Sequence, residues 1–263
     1  MSRIRERFEV LKARGEKALV VFVTAGDPPI QFLPDILDAL VEGGADLIEI
    51  GIPFSDPIAD GPTIQASSQR ALDRHTRLKD IFESVKKANL QIPSIYMGYT
   101  NIALRKGFRE FAKAVKESGV DGVLLSDLTP EESKEWRESA AEAGLDIVFL
   151  VAPTSTDERI ELASKLSSGF VYCVSRTGVT GAERAVPEEV KVTVEKIRKH
   201  TSLPVCVGFG ISKPEHVEMV CNVADGAVVG SYIVDLLHKE WNDGKGAKKL
   251  IEAVTVLKKA TKL

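Results

Sequence analysis

Asp46-Leu47-Ile48-Glu49-Ile50-Gly51 is a short aliphatic run broken by one carboxylate and closed by a glycine. Side chains alternate between faces along a strand. Ile48 and Ile50 then share one face, suited to packing on helices, and Leu47 and Glu49 share the other. Runs of the same kind recur outward from this one. Strands are expected at Ala18–Thr24, Asp46–Ile50, Ser94–Gly98, Gly122–Ser126, Asp146–Val151, Gly169–Val174, Pro204–Val207 and Gly226–Val229. Between them lie helical patterns. Asp35–Glu42 places Ile36, Leu37, Leu40 and Val41 on one face, and Glu131–Ala143, Asp157–Leu166, Glu188–His200 and Pro214–Val220 behave similarly. A further helical pattern, Tyr232–Trp241, follows the last strand, and Ala247–Lys262 forms one more amphipathic helix.

Strand–helix alternation implies parallel strands with crossover helices. Repeated eight times, it favours a closed (β/α)8 TIM barrel over a doubly wound open sheet, which periodicity alone leaves open. A barrel of this kind takes about 250 residues. With 263 residues and no Pro/Ser-rich linker, the chain is expected to form one domain over 1–263. An extra N-terminal helix precedes the first strand, where Ile4, Phe8 and Leu11 punctuate a charged stretch. Most strand starts lie about 22–34 residues apart, as a βα unit requires. The step from Asp46 to Ser94 is longer and reads as a long loop rich in Gly, Pro and Asp. Such loops at a barrel's C-terminal face usually carry function.

Composition is that of a globular protein, 44% hydrophobic and 28% charged. A net charge of −3 without a basic block argues against nucleic acid. No apolar run is long enough to span a membrane. Cys173, Cys206 and Cys221 have no CxxC spacing and read as buried side chains in a reducing cytosol.

If the strand reading holds, Glu49 faces the barrel interior near the strand's C-terminal end, where this fold keeps catalytic groups. A structural ion pair is the plainer reading, but an unpaired carboxylate there would be costly to maintain. Asp60 follows in Pro57-Ile58-Ala59-Asp60-Gly61-Pro62, and turn residue and catalytic group are equally good readings of it. Asp56, before Pro57, reads as a turn residue. Three Gly-bearing loops follow the last strands: Ser175-Arg176-Thr177-Gly178-Val179-Thr180-Gly181, Gly208-Phe209-Gly210-Ile211-Ser212 and Gly230-Ser231. Backbone N–H groups of such loops, with a helix N-terminus, cradle phosphate, though tight turns explain any one of them. None of the four histidines stands at the end of an expected strand, no carboxylate–His cluster offers a metal site, no lysine lies within an expected strand, and no GxGxxG follows one. The expected chemistry is carboxylates and backbone dipoles, with no metal and no cofactor.

Glu49-Ile50-Gly51-Ile52-Pro53-Phe54-Ser55-Asp56-Pro57-Ile58-Ala59-Asp60-Gly61-Pro62-Thr63-Ile64-Gln65 closely resembles the signature of tryptophan synthase α subunits. Thr24-Ala25-Gly26-Asp27-Pro28, Ser175 to Gly181 and Val207 to Ser212 resemble further family motifs, in order and at family-like spacing, so that the resemblance spans essentially the whole chain. It implies retro-aldol cleavage of indole-3-glycerol phosphate to indole and glyceraldehyde 3-phosphate. Glu49 and Asp60 match the catalytic carboxylates. Gly181, Gly210, Gly230 and Ser231 match the phosphate site, and Phe22, Ile64, Met97, Leu124 and Tyr172 the indole pocket. The loops holding Asp60 and Thr180 are expected to close over the substrate. A β subunit, in an α2β2 complex, is the implied partner, with Asp56 on the communicating loop, in the cytoplasm. A stand-alone lyase, or a weakly active subunit that mainly activates β, are the other readings. The chain departs from the pattern at Val21, where Pro is usual, at Ile95–Asn101, at Asp73-Arg74-His75 and at Ser126-Asp127-Leu128-Thr129-Pro130.

Overall fold

In the computed structural model, residues 1–174, 188–208, 210–242 and 244–262 are described. The described elements are α1 Arg3–Ala13, β1 Ala18–Thr24, α2 Leu33–Glu42, β2 Leu47–Gly51, α3 Pro62–Asp73, α4 Leu78–Ala88, β3 Ser94–Gly98, α5 Thr100–Lys106, α6 Phe108–Glu117, β4 Gly122–Leu125, α7 Lys134–Ala143, β5 Asp146–Ile147, β6 Leu150–Val151, α8 Asp157–Leu166, β7 Val171–Val174, α9 Glu188–His200, β8 Val205–Gly208, α10 Pro214–Cys221, β9 Gly226–Val229, α11 Ser231–Glu240 and α12 Ala247–Lys259.

Every strand pairing is parallel, and β1 sits between β2 and β9. The expected strand Asp146–Val151 is interrupted, and the interruption closes the ring. Val148 N–H donates to Val123 O beside β4 partners, while Phe149 O accepts from Tyr172 N–H on β7. One stave changes neighbours along its length, so β5 and β6 together complete an eight-staved barrel. This is the expected TIM barrel. Other strand ends differ from expectation by two residues or fewer, within the fraying of element ends. Glu131–Ala143 is helical only from Lys134, because Pro130–Glu132 forms a separate 3-10 turn closed by Ser133 Oγ donating to Pro130 O. The long step after β2 holds two helices, α3 and α4, in addition to its loop.

Strand parity divides the apolar residues into two cores. Ile48, Ile50, Tyr96 and Val123 pack outward under the helices. Val20, Leu47, Ile95, Leu124, Tyr172 and Val228 face inward with Ile4, Phe8 and Leu11 of α1. Helix α1 therefore closes the lower end of the barrel. Ser2 Oγ accepts from Arg5 N–H at its N-terminus, and Ile4, Phe8 and Leu11 recur at helical spacing on its buried face. Burying those three side chains contributes at most about 6 kcal/mol.

The lower rim is stapled by aspartates just ahead of three strands. Asp46 N–H donates to Leu19 O, and Leu19 N–H donates back to Asp46 Oδ2 at 2.7 Å. Asp121 makes the same reciprocal pair with Ser94, and Asp225 with Val205. Each also meets a cation: Arg7 and Lys258 at Asp46, Arg3 at Asp121, Arg198 and Lys17 at Asp225. Cys173, Cys206 and Cys221 are buried and free, as expected of packing residues.

Candidate active site

Strand β2 carries Glu49 on its inward face, above Leu47, with Phe22 of β1 and Ile95 of β3 as its lateral register partners. Glu49 is 1% exposed, and its Oε1 has no hydrogen-bond partner. Among the described residues no cation pairs with it. Burial therefore pushes its carboxyl up to about 8, with the charge of Asp60 adding to the shift. Near neutral pH Glu49 is predominantly the protonated acid.

Asp60 lies at the end of the loop after β2, directly ahead of α3. Its N–H donates to Pro57 O, its carbonyl accepts from Gln65 Nε2 at 2.8 Å, and Ala59 N–H donates to Tyr99 Oη at 3.1 Å. The Tyr99 ring stacks on Phe54 at 4.9 Å. Asp60 is half-buried, and burial raises its carboxyl while the Tyr99 hydroxyl opposes the shift. Tyr99 was not legible as a site residue, because only the fold brings it to Asp60.

Glu49 and Asp60 border one cavity of about 460 Å³, walled by Phe22, Ile64, Met97 and Tyr172. Gly210, Gly230 and Ser231 border it from the opposite loops, with Gly61, Pro62, Ile211, Ser212, Val228 and Tyr232. Two glycines exist for the aromatic walls. A Cβ on Gly51 would lie 2.4 Å from Phe22 Cζ, and one on Gly208 would lie 2.2 Å from Tyr172 Oη. Gly208 thus makes room for Tyr172, whereas Gly210, with φ of 72°, meets a backbone need. Gly230 precedes α11, and the first N–H groups of that helix have no intrahelical acceptor, which makes the cavity's edge attractive to an anion. Leu124 faces inward but is fully buried and does not line the cavity. Asp56 is exposed, away from the cavity, and accepts from Ser55 Oγ. Thr180 and Gly181, with Ser175 to Val179, lie outside the described residues. A second cavity, about 510 Å³ beside Pro53, Ile81 and Arg105, has no carboxylate in its lining and offers no acid–base pair.

The family described as tryptophan synthase alpha chain has a sequence model that matches residues 8–262. The chain belongs to the tryptophan synthase alpha chain family. It is 45% identical over 260 residues to a tryptophan synthase alpha chain of Thermoanaerobacter sp. (strain X514), covering 98% of this chain and 99% of that one. It is 48% identical over 264 residues to the alpha chain of Geotalea uraniireducens (strain Rf4), covering 100% and 98%. The crystal structure of tryptophan synthase subunit alpha from Legionella pneumophila str. Paris superposes with a TM-score of 0.90 at 32% identity, covering 99% of this chain and 98% of that one. As a tryptophan synthase alpha chain, the protein is a carbon–carbon lyase of tryptophan biosynthesis that cleaves indole-3-glycerol phosphate. Among the described residues, no helix is long and apolar enough to cross a membrane.

Proposed function

We propose that Glu49 and Asp60 handle the protons of this cleavage, within a pocket that holds the indole ring between Phe22, Ile64, Met97 and Tyr172. The bond to break joins indole C3 to the glycerol chain, and an aromatic carbon leaves poorly. Protonation of C3 by Glu49 gives a 3H-indolium ion whose nitrogen can accept the bonding electrons. The Asp60 carboxylate faces the ring N–H and stabilises the positive charge that develops there. The Glu49 carboxylate, having given up its proton, takes one from the hydroxyl on the adjoining carbon. The C–C bond then breaks, its electrons restore the aromatic ring, and indole and glyceraldehyde 3-phosphate result. Two carboxylates suffice for both transfers, and no cofactor enters. The phosphate binds at Gly210, Gly230 and Ser231, remote from the scissile bond, with Gly181 as a further contact; Leu124 supports the pocket from below and Thr180 closes over it.

The observation that carries this reading is the buried Oε1 of Glu49, without a partner, at a cavity bounded by Asp60 and by no cation. An acid that must give and retake a proton near neutrality needs a raised pKa. The chain further acts with a β subunit in an α2β2 complex in the cytoplasm, Asp56 lying on the loop that communicates with it.

The test is indole release by Glu49→Gln, which keeps shape but cannot cycle a proton. Turnover should fall at least about 10²-fold, with a much smaller change in KM. In the unaltered chain, kcat/KM should decline as pH rises through about 8, where Glu49 loses its proton. Near-normal turnover in the variant would remove Glu49 from the mechanism. Repeating the assay with β added separates a stand-alone lyase from a subunit active only in the complex.

A further inference from the structure

Helix α3 begins one residue after Asp60, and its first turn, with Pro62 and Ile64, borders the cavity. Its position therefore decides where Asp60 stands. Apolar packing fixes that position poorly, because the fully buried residues of α3 are Ser67, Ser68 and Ala71, all small. The preceding loop cannot fix it either: Ser55, Asp56, Ile58 and Ala59 are exposed, and Tyr99 Oη holds only the Ala59 N–H.

Directional polar bonds supply the missing constraint, all to the segment that ends β1. Thr24 Oγ1 and Ser67 Oγ are 2.6 Å apart, and Ser67 Oγ also donates to Ile64 O at 2.8 Å. Since that bond uses the Ser67 proton, Thr24 is the donor to Ser67. One turn further on, Arg70 Nε donates to both oxygens of Asp27 at 3.1 Å, and its Nη2 donates to Oδ2 at 2.6 Å. Beyond it, Arg74 Nη1 donates to Asp27 Oδ1 at 2.9 Å and to Gly26 O at 3.1 Å. Asp27 is 2% exposed. Ser67, Arg70 and Arg74 follow the i, i+3, i+7 spacing of one helix face, the face that leads back to Ile64. Arg74 belongs to the Asp73-Arg74-His75 segment that departs from the family pattern. A forked guanidinium on a buried carboxylate fixes orientation as well as distance.

We propose that Asp27, gripped by Arg70 and Arg74, and the Thr24–Ser67 hydroxyl pair form a positioning device that seats α3 and thereby holds Asp60 opposite Glu49. None of these four groups lines the cavity, so they act through the helix rather than on substrate. The helix rises about 1.5 Å per residue, so the Asp27 grip works roughly 15 Å from Asp60. The inference rests on Asp60 being the second proton-handling group.

The experiment measures indole release by the full chain carrying Ser67→Ala, Asp27→Asn or Arg70→Lys. Each should lower kcat at least about 10-fold while changing KM by less than about 3-fold, because misplacing a reacting group costs turnover rather than ground-state binding. The alkaline limb of kcat/KM should also move to lower pH, since the Asp60 charge helps hold the Glu49 carboxyl up. Ser67→Ala leaves the ion pairs intact, so it reports even where Asp27→Asn fails to fold; thermal unfolding shows which variants are native at the assay temperature. Ser67→Ala is then combined with Asp60→Asn, where it should change kcat by less than about 2-fold, because no carboxylate remains to misplace. Unchanged kcat and an unmoved alkaline limb, with a lowered Tm alone, would overturn the proposal, as would an equal fall in both backgrounds. If Asp60→Asn alone left kcat unaltered, the reading of Asp60 would fail instead.

Discussion

Asp46 and Glu49 stand at the two ends of β2, three residues apart, and both are carboxylates almost wholly removed from water, at 0% and 1% exposure. Their surroundings are opposite. Asp46 receives the Leu19 N–H, Arg7 at 2.6 Å and Lys258 at 2.9 Å. Glu49 receives no cation among the described residues, and one oxygen has no partner at all. A buried charge is tolerable when paired and hydrogen-bonded; otherwise the group takes up a proton. Over roughly 10 Å of strand the same functional group is turned from a staple into an acid. The lower rim repeats the first solution at Asp121 and Asp225, whereas the upper rim gathers two carboxylates that raise each other's burden.

The contrast can be broken most severely at its lower end. Asp46→Asn leaves Arg7 and Lys258 without their anion and should cost about 3 kcal/mol, seen as a Tm lowered by at least about 6 °C. Its kcat, measured where the variant is folded, should stay within about 2-fold of the parent, since the loss is in the staple and not in the site. A large fall in kcat at unchanged Tm would show that the two ends of β2 are not separable.

A second prediction follows from Glu49 in the absence of substrate. Its carboxyl rises from an ordinary 4.5 to about 8 on folding, so between these values the folded state holds the extra proton. Stability contributed by that proton is complete below about 4.5 and is lost as pH rises through about 8, with a slope of at most about 1.4 kcal/mol per pH unit. Glu49→Gln should remove the slope, so the inactive variant should be the more stable protein at pH 8. Urea unfolding across that window measures both; a slope that persists in the variant would assign it to other groups.

Smaller effects sharpen the picture of the upper rim. Gly230 has a negative φ, and a Cβ there would meet Phe22 Cβ at 3.5 Å, an ordinary contact. Gly230→Ala should therefore fold normally. Its methyl would intrude where the phosphate approaches, raising KM about 10-fold with kcat little changed. The smallest change belongs to the exposed part of the lower rim. Arg198 and Asp225 are 46% and 33% exposed, so Arg198→Ala should cost under about 1 kcal/mol and nothing in turnover.

The barrel was readable in the sequence because its strands are short, aliphatic and evenly spaced, and strand parity alone put Leu47 and Glu49 inside. The division of Asp146–Val151 was not readable: that stretch changes hydrogen-bonding partner midway, from β4 to β7, and no residue marks the exchange. Of the two helices in the long step after β2, α4 carries Leu78, Ile81, Phe82 and Val85 at helical spacing. Helix α3 has no comparable stripe, since it is seated by Ser67, Arg70 and Arg74 on partners 43 to 47 residues away. Glu49 and Asp60 were legible from their motif. Tyr99 was not, because its place beside Asp60 is created by β3 lying next to β2.

The plug formed by α1 gives the barrel one mouth. Ile4, Phe8 and Leu11 touch no reacting atom, yet they stopper a vessel whose upper end must admit substrate and release product. A tube open at both ends would let water reach Glu49 from beneath, and its carboxyl would drift back toward the strength of an ordinary side chain. The acidity at the mouth is in this sense set at the floor, by a helix that belongs to none of the eight repeating units.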